Sequence, residues 1–139
     1  MTEVGIKIRG THDSIIELNN VTLTDAYKHS DTVRGISSYS LDRMDDNVTI
    51  RNNTVTGNGA SSDCDCISFD AFEVGSPTST NMIVTNNTIE SCNYGVDLAT
   101  GNNGDTVTNN TISHHTTCIN DDGIGNTVTG NTKTDCSDA

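Results

Sequence analysis

The sequence predicts an all-β chain, a right-handed parallel β-helix (solenoid) of about five coils, and three observations predict it. A short unit of the form Asn-Asn-Thr-Ile/Val recurs along the chain, a second apolar unit opening on Gly or Cys interleaves with it, and the remaining apolar residues are few, aliphatic and periodic.

The first unit appears at Ile16-Glu17-Leu18-Asn19-Asn20-Val21-Thr22-Leu23, Val48-Thr49-Ile50-Arg51-Asn52-Asn53-Thr54-Val55, Met82-Ile83-Val84-Thr85-Asn86-Asn87-Thr88-Ile89, Asp105-Thr106-Val107-Thr108-Asn109-Asn110-Thr111-Ile112 and Asn126-Thr127-Val128-Thr129-Gly130-Asn131-Thr132-Lys133. Aligning positions 21, 53, 87, 110 and 131 gives spacings of 32, 34, 23 and 21 residues. The last two fit one compact coil each, and the first two fit the same coil enlarged by loops. The second unit reads Gly5-Ile6-Lys7-Ile8, Gly35-Ile36-Ser37, Cys66-Ile67-Ser68-Phe69, Gly95-Val96-Asp97-Leu98 and Cys118-Ile119-Asn120. Alternation at period two marks half-buried strands, and strands that recur once per coil must pair in parallel with the coils above and below.

Stacking at about 4.8 Å then predicts an internal ladder of Leu23, Val55, Ile89 and Ile112. The Asn pair has a physical reason: a sharp corner needs a left-handed residue, and Asn tolerates that conformation best after Gly. Stacked Asn side chains can also hydrogen-bond along the ladder. Lys133 stands where other coils carry an aliphatic residue, so a single domain over 1–139 is expected to finish with a polar rung near 126–136. At the other end Gly5-Ile6-Lys7-Ile8 reads as a strand without an amphipathic cap. Its rung is expected to be covered by upstream chain, another subunit or its own loop.

Composition agrees with a thin interior. Only 32% of residues are hydrophobic, 4% are aromatic and Trp is absent, which suits a narrow aliphatic core better than a globule. The net charge of -12, with Lys only at positions 7, 28 and 133, argues against nucleic acid or anionic membrane partners, since phosphate binding needs clustered cations. It fits either a well-solvated surface or a halophilic one, where molar salt screens self-repulsion. No apolar run reaches a membrane span, and Met1-Thr2-Glu3 does not open a signal peptide.

Five cysteines, 64, 66, 92, 118 and 136, leave at least one unpaired in a monomer. Cys64-Asp65-Cys66 is too closely spaced for zinc. Cys66 and Cys118 fall on the small-residue position, and Cys92 and Cys136 lie five residues after the ladder Asn, so buried free thiols are expected, with a disulfide as the alternative. His114-His115 reads as a pair of exposed loop histidines. Sequons begin at Asn20, Asn47, Asn52, Asn86 and Asn109, four of them generated by the repeat itself.

The run Asn86-Asn87-Thr88-Ile89 through Gly95-Val96-Asp97-Leu98 resembles the β-helix repeats of the pectate-lyase-like superfamily, over nearly the whole chain. The resemblance implies the fold and leaves the activity open among polysaccharide lyases, hydrolases, epimerases, viral tailspikes and non-catalytic surface proteins. The candidate catalytic residues are Asp70, Asp97, Asp121 and Asp122. Stacking is expected to bring Asp70, Asp97 and Asp122 together with Asp121 alongside, as a Ca²⁺ site or an acid and base for glycosidic cleavage. The Asp121-Asp122 pair is similar to a double Asp of polygalacturonase-like enzymes, but their Gly-His-Gly and Arg-x-Lys motifs are missing. A lyase would need a basic residue facing the acids, and Arg9, Arg34, Arg43 and Arg51 all lie in the first half of the chain.

The expected function is therefore a non-catalytic, glycan-contacting structural module of a virion or cell exterior. It is expected to need no cofactor and to self-associate or belong to a larger assembly. Asp97, Asn120, Asp122, Ser68 and Tyr39 are its candidate ligand-binding residues, and loops from Asp25 to Arg34 and Asp70 to Thr80 offer variable contact surfaces. The alternative is a carbohydrate-active enzyme, or part of one.

Overall fold

A computed structural model describes residues 3–24, 33–40, 44–59, 64–71 and 78–139, with the backbone alone at 3, 39, 40, 70 and 71. Each coil lays down three strands. They are β1 (Glu3–Ile8), β2 (Ile15–Glu17) and β3 (Asn20–Thr22); β4 (Val33–Ser40), β5 (Thr49–Arg51) and β6 (Thr54–Thr56); β7 (Cys64–Ala71), β8 (Ile83–Thr85) and β9 (Thr88–Glu90); β10 (Tyr94–Leu98), β11 (Thr106–Thr108) and β12 (Thr111–Ser113); β13 (Thr117–Asp121), β14 (Thr127–Thr129) and β15 (Thr132–Thr134). They stack into three parallel five-stranded sheets ordered β1-β4-β7-β10-β13, β2-β5-β8-β11-β14 and β3-β6-β9-β12-β15. The chain is an all-β parallel β-helix of five coils.

The register fixes the interior. Ile36, Ile67, Val96 and Ile119 form one buried column, Ile50, Val84 and Val107 a second, and Val55, Ile89 and Ile112 a third. Small residues stand where the chain turns into the first sheet. A Cβ on Gly35 would lie 2.4 Å from the Cys66 carbonyl oxygen, so no side chain fits there without displacing backbone.

The first coil sits two residues out of the expected register. Val21, rather than Leu23, pairs with Val55, and Asn19 pairs with Asn53, so the first repeat spans 34 residues and not 32. The Asn19-Asn20 pair misleads because it is offset by one from the pairs in later coils. The residue at the left-handed corner is Leu18, at φ 61°, where the other coils place Asn52, Asn86, Asn109 and Gly130. The Cβ of an L residue is disfavoured there by roughly 1–2 kcal/mol, Leu lacks the local hydrogen bonds by which Asn offsets this, and Leu18 is 78% exposed, so it recovers little by packing. Leu18→Asn is expected to raise the unfolding free energy by about 1 kcal/mol, visible as a higher urea midpoint at unchanged slope.

Other corners use the same device. Asp13, Asn47, Asn81, Gly104 and Gly125 all have positive φ at the corner before the second sheet, and Ser91, His114 and Asp135 do at the one before the first sheet. The two ends are less buried than the middle. Ile6, Ile16, Val21 and Val128 are only partly buried, and Lys133 is exposed on β15.

The cysteines depart from the expected free thiols. Cys64 pairs with Cys92 and Cys118 with Cys136, leaving Cys66 free and buried. Both pairs staple the start of a first-sheet strand to the corner that closes the same coil, where Cα atoms lie 5.2 and 5.3 Å apart, within disulfide range. Cys66 remains the interior filler that its position implies, and burial pushes its thiol up to about 12.

Candidate functional site

The outward column of the first sheet follows the sequence. Lys7, Ser37, Ser68, Asp97 and Asn120 are in register on successive coils. Two residues further along, Tyr39 pairs with Asp70, while the Ala99 and Asp122 amides continue the ladder to Phe69 and Leu98. The side chains of Tyr39 and Asp70 lie outside the described residues, as do Arg43 and most of the loops 25–34 and 70–80.

Stacking brings Asp97 and Asp122 to one amide. Asn120 Nδ2 donates to Asp97 Oδ1 at 2.8 Å and to Asp122 Oδ2 at 3.1 Å. Asp97 and Asn120 are half-buried, Asp122 is exposed, and all three stand on strand β13 or β10 or immediately after. Asp121 does not join them. Consecutive strand residues face opposite sides, and Asp121 lies in the inward column of Ile8, Ser38, Phe69 and Leu98. Its Oδ1 accepts from Gly123 N at 3.2 Å and Asn126 Nδ2 at 2.7 Å. Ser68 is removed from the accessible face as well: it is fully buried, and its hydroxyl donates to Ser37 Oγ at 3.2 Å.

This geometry favours an acceptor array over an acid–base pair. In a glycosidase two carboxyls flank the scissile bond, one protonating its oxygen and the other activating water or attacking the anomeric carbon, whereas Asp97 and Asp122 converge on Asn120. A carboxylate accepts about four hydrogen bonds, so the exposed Asp122 keeps acceptor capacity for outside donors. For Ca²⁺ to lie between them, Asn120 would have to turn over and present its oxygen. Among the described residues no three His, Cys, Asp or Glu side chains are grouped to hold a metal. Two arginines considered for a lyase are engaged with acids: Arg51 Nε lies 2.7 Å from Glu17 Oε2, and Arg34 Nε lies 3.8 Å from Asp65 Oδ2.

The two histidines divide. His114 is exposed between Glu90 (3.4 Å) and Asp135 (3.2 Å). His115, expected to be exposed, is buried at 3% exposure. It occupies the corner slot five residues after Asn110 that Cys92 and Cys136 fill in other coils. Its Nδ1 accepts from Cys92 N at 3.0 Å, and its Nε2 faces the Ile89 carbonyl at 3.1 Å, as a neutral ring requires. Burial holds its pKa below the ordinary 6.5. A folded value below the unfolded one means that stability present above about pH 6.5 is lost as pH falls.

Sequence reasoning also missed a buried polar cluster at the corner after the first sheet. Ser38 donates to Asp45, its oxygen lies 2.5 Å from Ser79 Oγ, and Asp45 Oδ1 accepts from Thr11 N at 2.7 Å. No periodic signal marks it, because the side chains at these positions change from coil to coil. No protein-family model matches this chain, nor does any curated protein or solved structure, so its functional reading rests on its own geometry.

Proposed function

We propose that this chain is a non-catalytic, glycan-contacting β-helix module of a cell or virion exterior, related in kind to the pectate-lyase-like proteins. The observation that carries the reading is the Asp97–Asn120–Asp122 array, in which Asn120 fixes a half-buried and an exposed carboxylate on one sheet. Sugar hydroxyls are the donors such an array suits. With a net charge of -12 the module would repel anionic polysaccharides, which favours a neutral glycan.

Further support comes from two sources. Two disulfides fit an oxidising compartment. The half-buried first rung, with a groove lined by Val4, Gly5, Thr22, Leu23, Thr24 and Val33, fits self-association or continuity with a larger assembly.

The test is binding to a panel of neutral and acidic polysaccharides by affinity electrophoresis, with reducing-end release measured in parallel. Retardation by a neutral glycan is expected, weakened about tenfold in Asn120→Ala, the scale of one lost charge-assisted hydrogen bond. Release of reducing ends by the wild type and not by Asp97→Ala would make the chain an enzyme. Binding to no glycan would remove the reading altogether.

A further inference from the structure

Two fully buried oxygens at the corner between β10 and β11 have no hydrogen-bond donor. They are Asn102 Oδ1 and Asp105 Oδ2, on residues 0% and 1% exposed. The amide orientation is fixed, because Asn102 Nδ2 donates to the Phe69 carbonyl at 2.5 Å and leaves Oδ1 to face elsewhere. The carboxyl is equally constrained, because Asp105 Oδ1 accepts from Met82 N at 2.9 Å.

The next coil shows which way the free Asp105 oxygen is directed, because Asn126 Oδ1 accepts the Asp105 amide just as Asp105 Oδ1 accepts the Met82 amide. Asn103 pairs with Ile124 and Thr106 with Thr127, which stacks Asn102 on Gly123 and Asp105 on Asn126. A Cβ on Gly123 would stand 2.3 Å from Asn126 Nδ2, so the free atom at position 126 is aimed at position 123, and the equivalent Asp105 Oδ2 is aimed at Asn102. Two acceptors facing each other in a dry corner repel, and one shared proton turns the repulsion into a hydrogen bond.

We propose that the Asp105 carboxyl, when protonated, donates from Oδ2 to Asn102 Oδ1, making this corner an acid-strengthened clasp that loosens when the carboxyl ionises. The groups around it support the assignment. Met82 in the coil above and Asn126 in the coil below are uncharged, and the charged neighbour is Asp121, another acid. Burial and then the Asp121 charge push the Asp105 carboxyl up from 3.8 to about 6, against the stabilising Met82 N–H.

The sign follows. A folded value above the unfolded one gives stability that is complete below about pH 4 and is lost as pH rises through about 6. His115 acts in the opposite direction and at a different corner. Loosening falls on the last coil, which leans on this residue: Asp105 N donates to Asn126 Oδ1, and Thr127 N donates to the Asp105 carbonyl.

The experiment follows the Asp105 carboxyl carbon by NMR titration and amide exchange at Thr127 at pH 5 and 7.5, corrected for intrinsic rates. The carboxyl is expected to titrate near 6, with Thr127 protection falling about tenfold between the two pH values. Asp105→Asn keeps the acceptor for Met82 and places an N–H toward Asn102 at every pH, so its protection is expected to stay constant. The proposal is overturned by a carboxyl titrating at or below the ordinary 3.8, by the same pH loss in Asp105→Asn, or by Ca²⁺ restoring wild-type protection at pH 7.5. The last result would put a cation, not a proton, between the oxygens. If Asp105→Asn does not fold, the wild-type titration decides alone.

Discussion

Asn87→Ala is expected to lower the unfolding free energy by about 4 kcal/mol, far more than a surface Asn. Asn87 sits at the centre of the ladder formed by Asn19, Asn53, Asn87, Asn110 and Asn131. Its Oδ1 accepts from Asn53 N at 2.9 Å and Asn53 Nδ2 at 3.1 Å. Its Nδ2 reaches the Ile50 carbonyl at 2.9 Å and Asn110 Oδ1 at 3.0 Å. Truncation would strand the Asn53 N–H and the Ile50 carbonyl in the interior, at roughly 1–3 kcal/mol each, beside a small void.

Asn131 offers the contrast. It accepts from Asn110 in the same way but is only half-buried, so water can replace it, and Asn131→Ala should cost about 1–2 kcal/mol. Urea unfolding followed by circular dichroism measures both. Equal losses at the two positions would show that the ladder is decorative and that packing alone holds the coils.

Reduction of the disulfides should have the second largest effect, about 3 kcal/mol per bridge by loop-closure entropy. Cys64–Cys92 closes 28 residues and Cys118–Cys136 closes 18. The consequences differ in place. Cys64 and Cys92 lie among the fully buried middle coils, where packing persists after the bond is broken. Cys118–Cys136 pins a coil whose second and third strands turn inward only the half-buried Val128 and the exposed Lys133, so breaking it should fray those strands alone. Limited proteolysis checks this. Cys118→Ser with Cys136→Ser is expected to be cut within residues 123–139 while the rest stays intact, whereas uniform digestion would contradict it. Cys66, buried with a raised pKa, should react with thiol reagents only on unfolding.

Much of this architecture is legible in the sequence, because each coil repeats its own constraints. Asn52, Asn86 and Asn109 announce the left-handed corner, Asn53, Asn87 and Asn110 the polar ladder behind it, and Val55, Ile89 and Ile112 the core. Reading fails where one coil satisfies a constraint with a different residue. Leu18 takes the corner that Asn takes elsewhere, which shifts the first coil by two, and His115 fills a slot that two cysteines fill in other coils.

Cysteine pairing was hidden for a related reason. The paired positions belong to neighbouring columns that only the closed coil brings together. The candidate site was legible as a column, since Asp97, Asn120 and Asp122 do converge. Which neighbours share its face was less so. Asp121 continues the inward column by strand alternation yet is exposed at its end, and Ser68 is covered although it stands on the outward column.

The asparagine ladder runs in one direction only: every side-chain carbonyl takes the amides of the preceding coil. Each boundary between coils therefore presents the same plug and the same socket, whatever the loops between them do. The chain crosses these boundaries in steps of 34, 23 or 21 residues without changing the joint. A gene encoding such a protein can duplicate or delete one coil and have the cut ends rejoin, so its length can evolve by whole copies while single residues within the joint stay fixed.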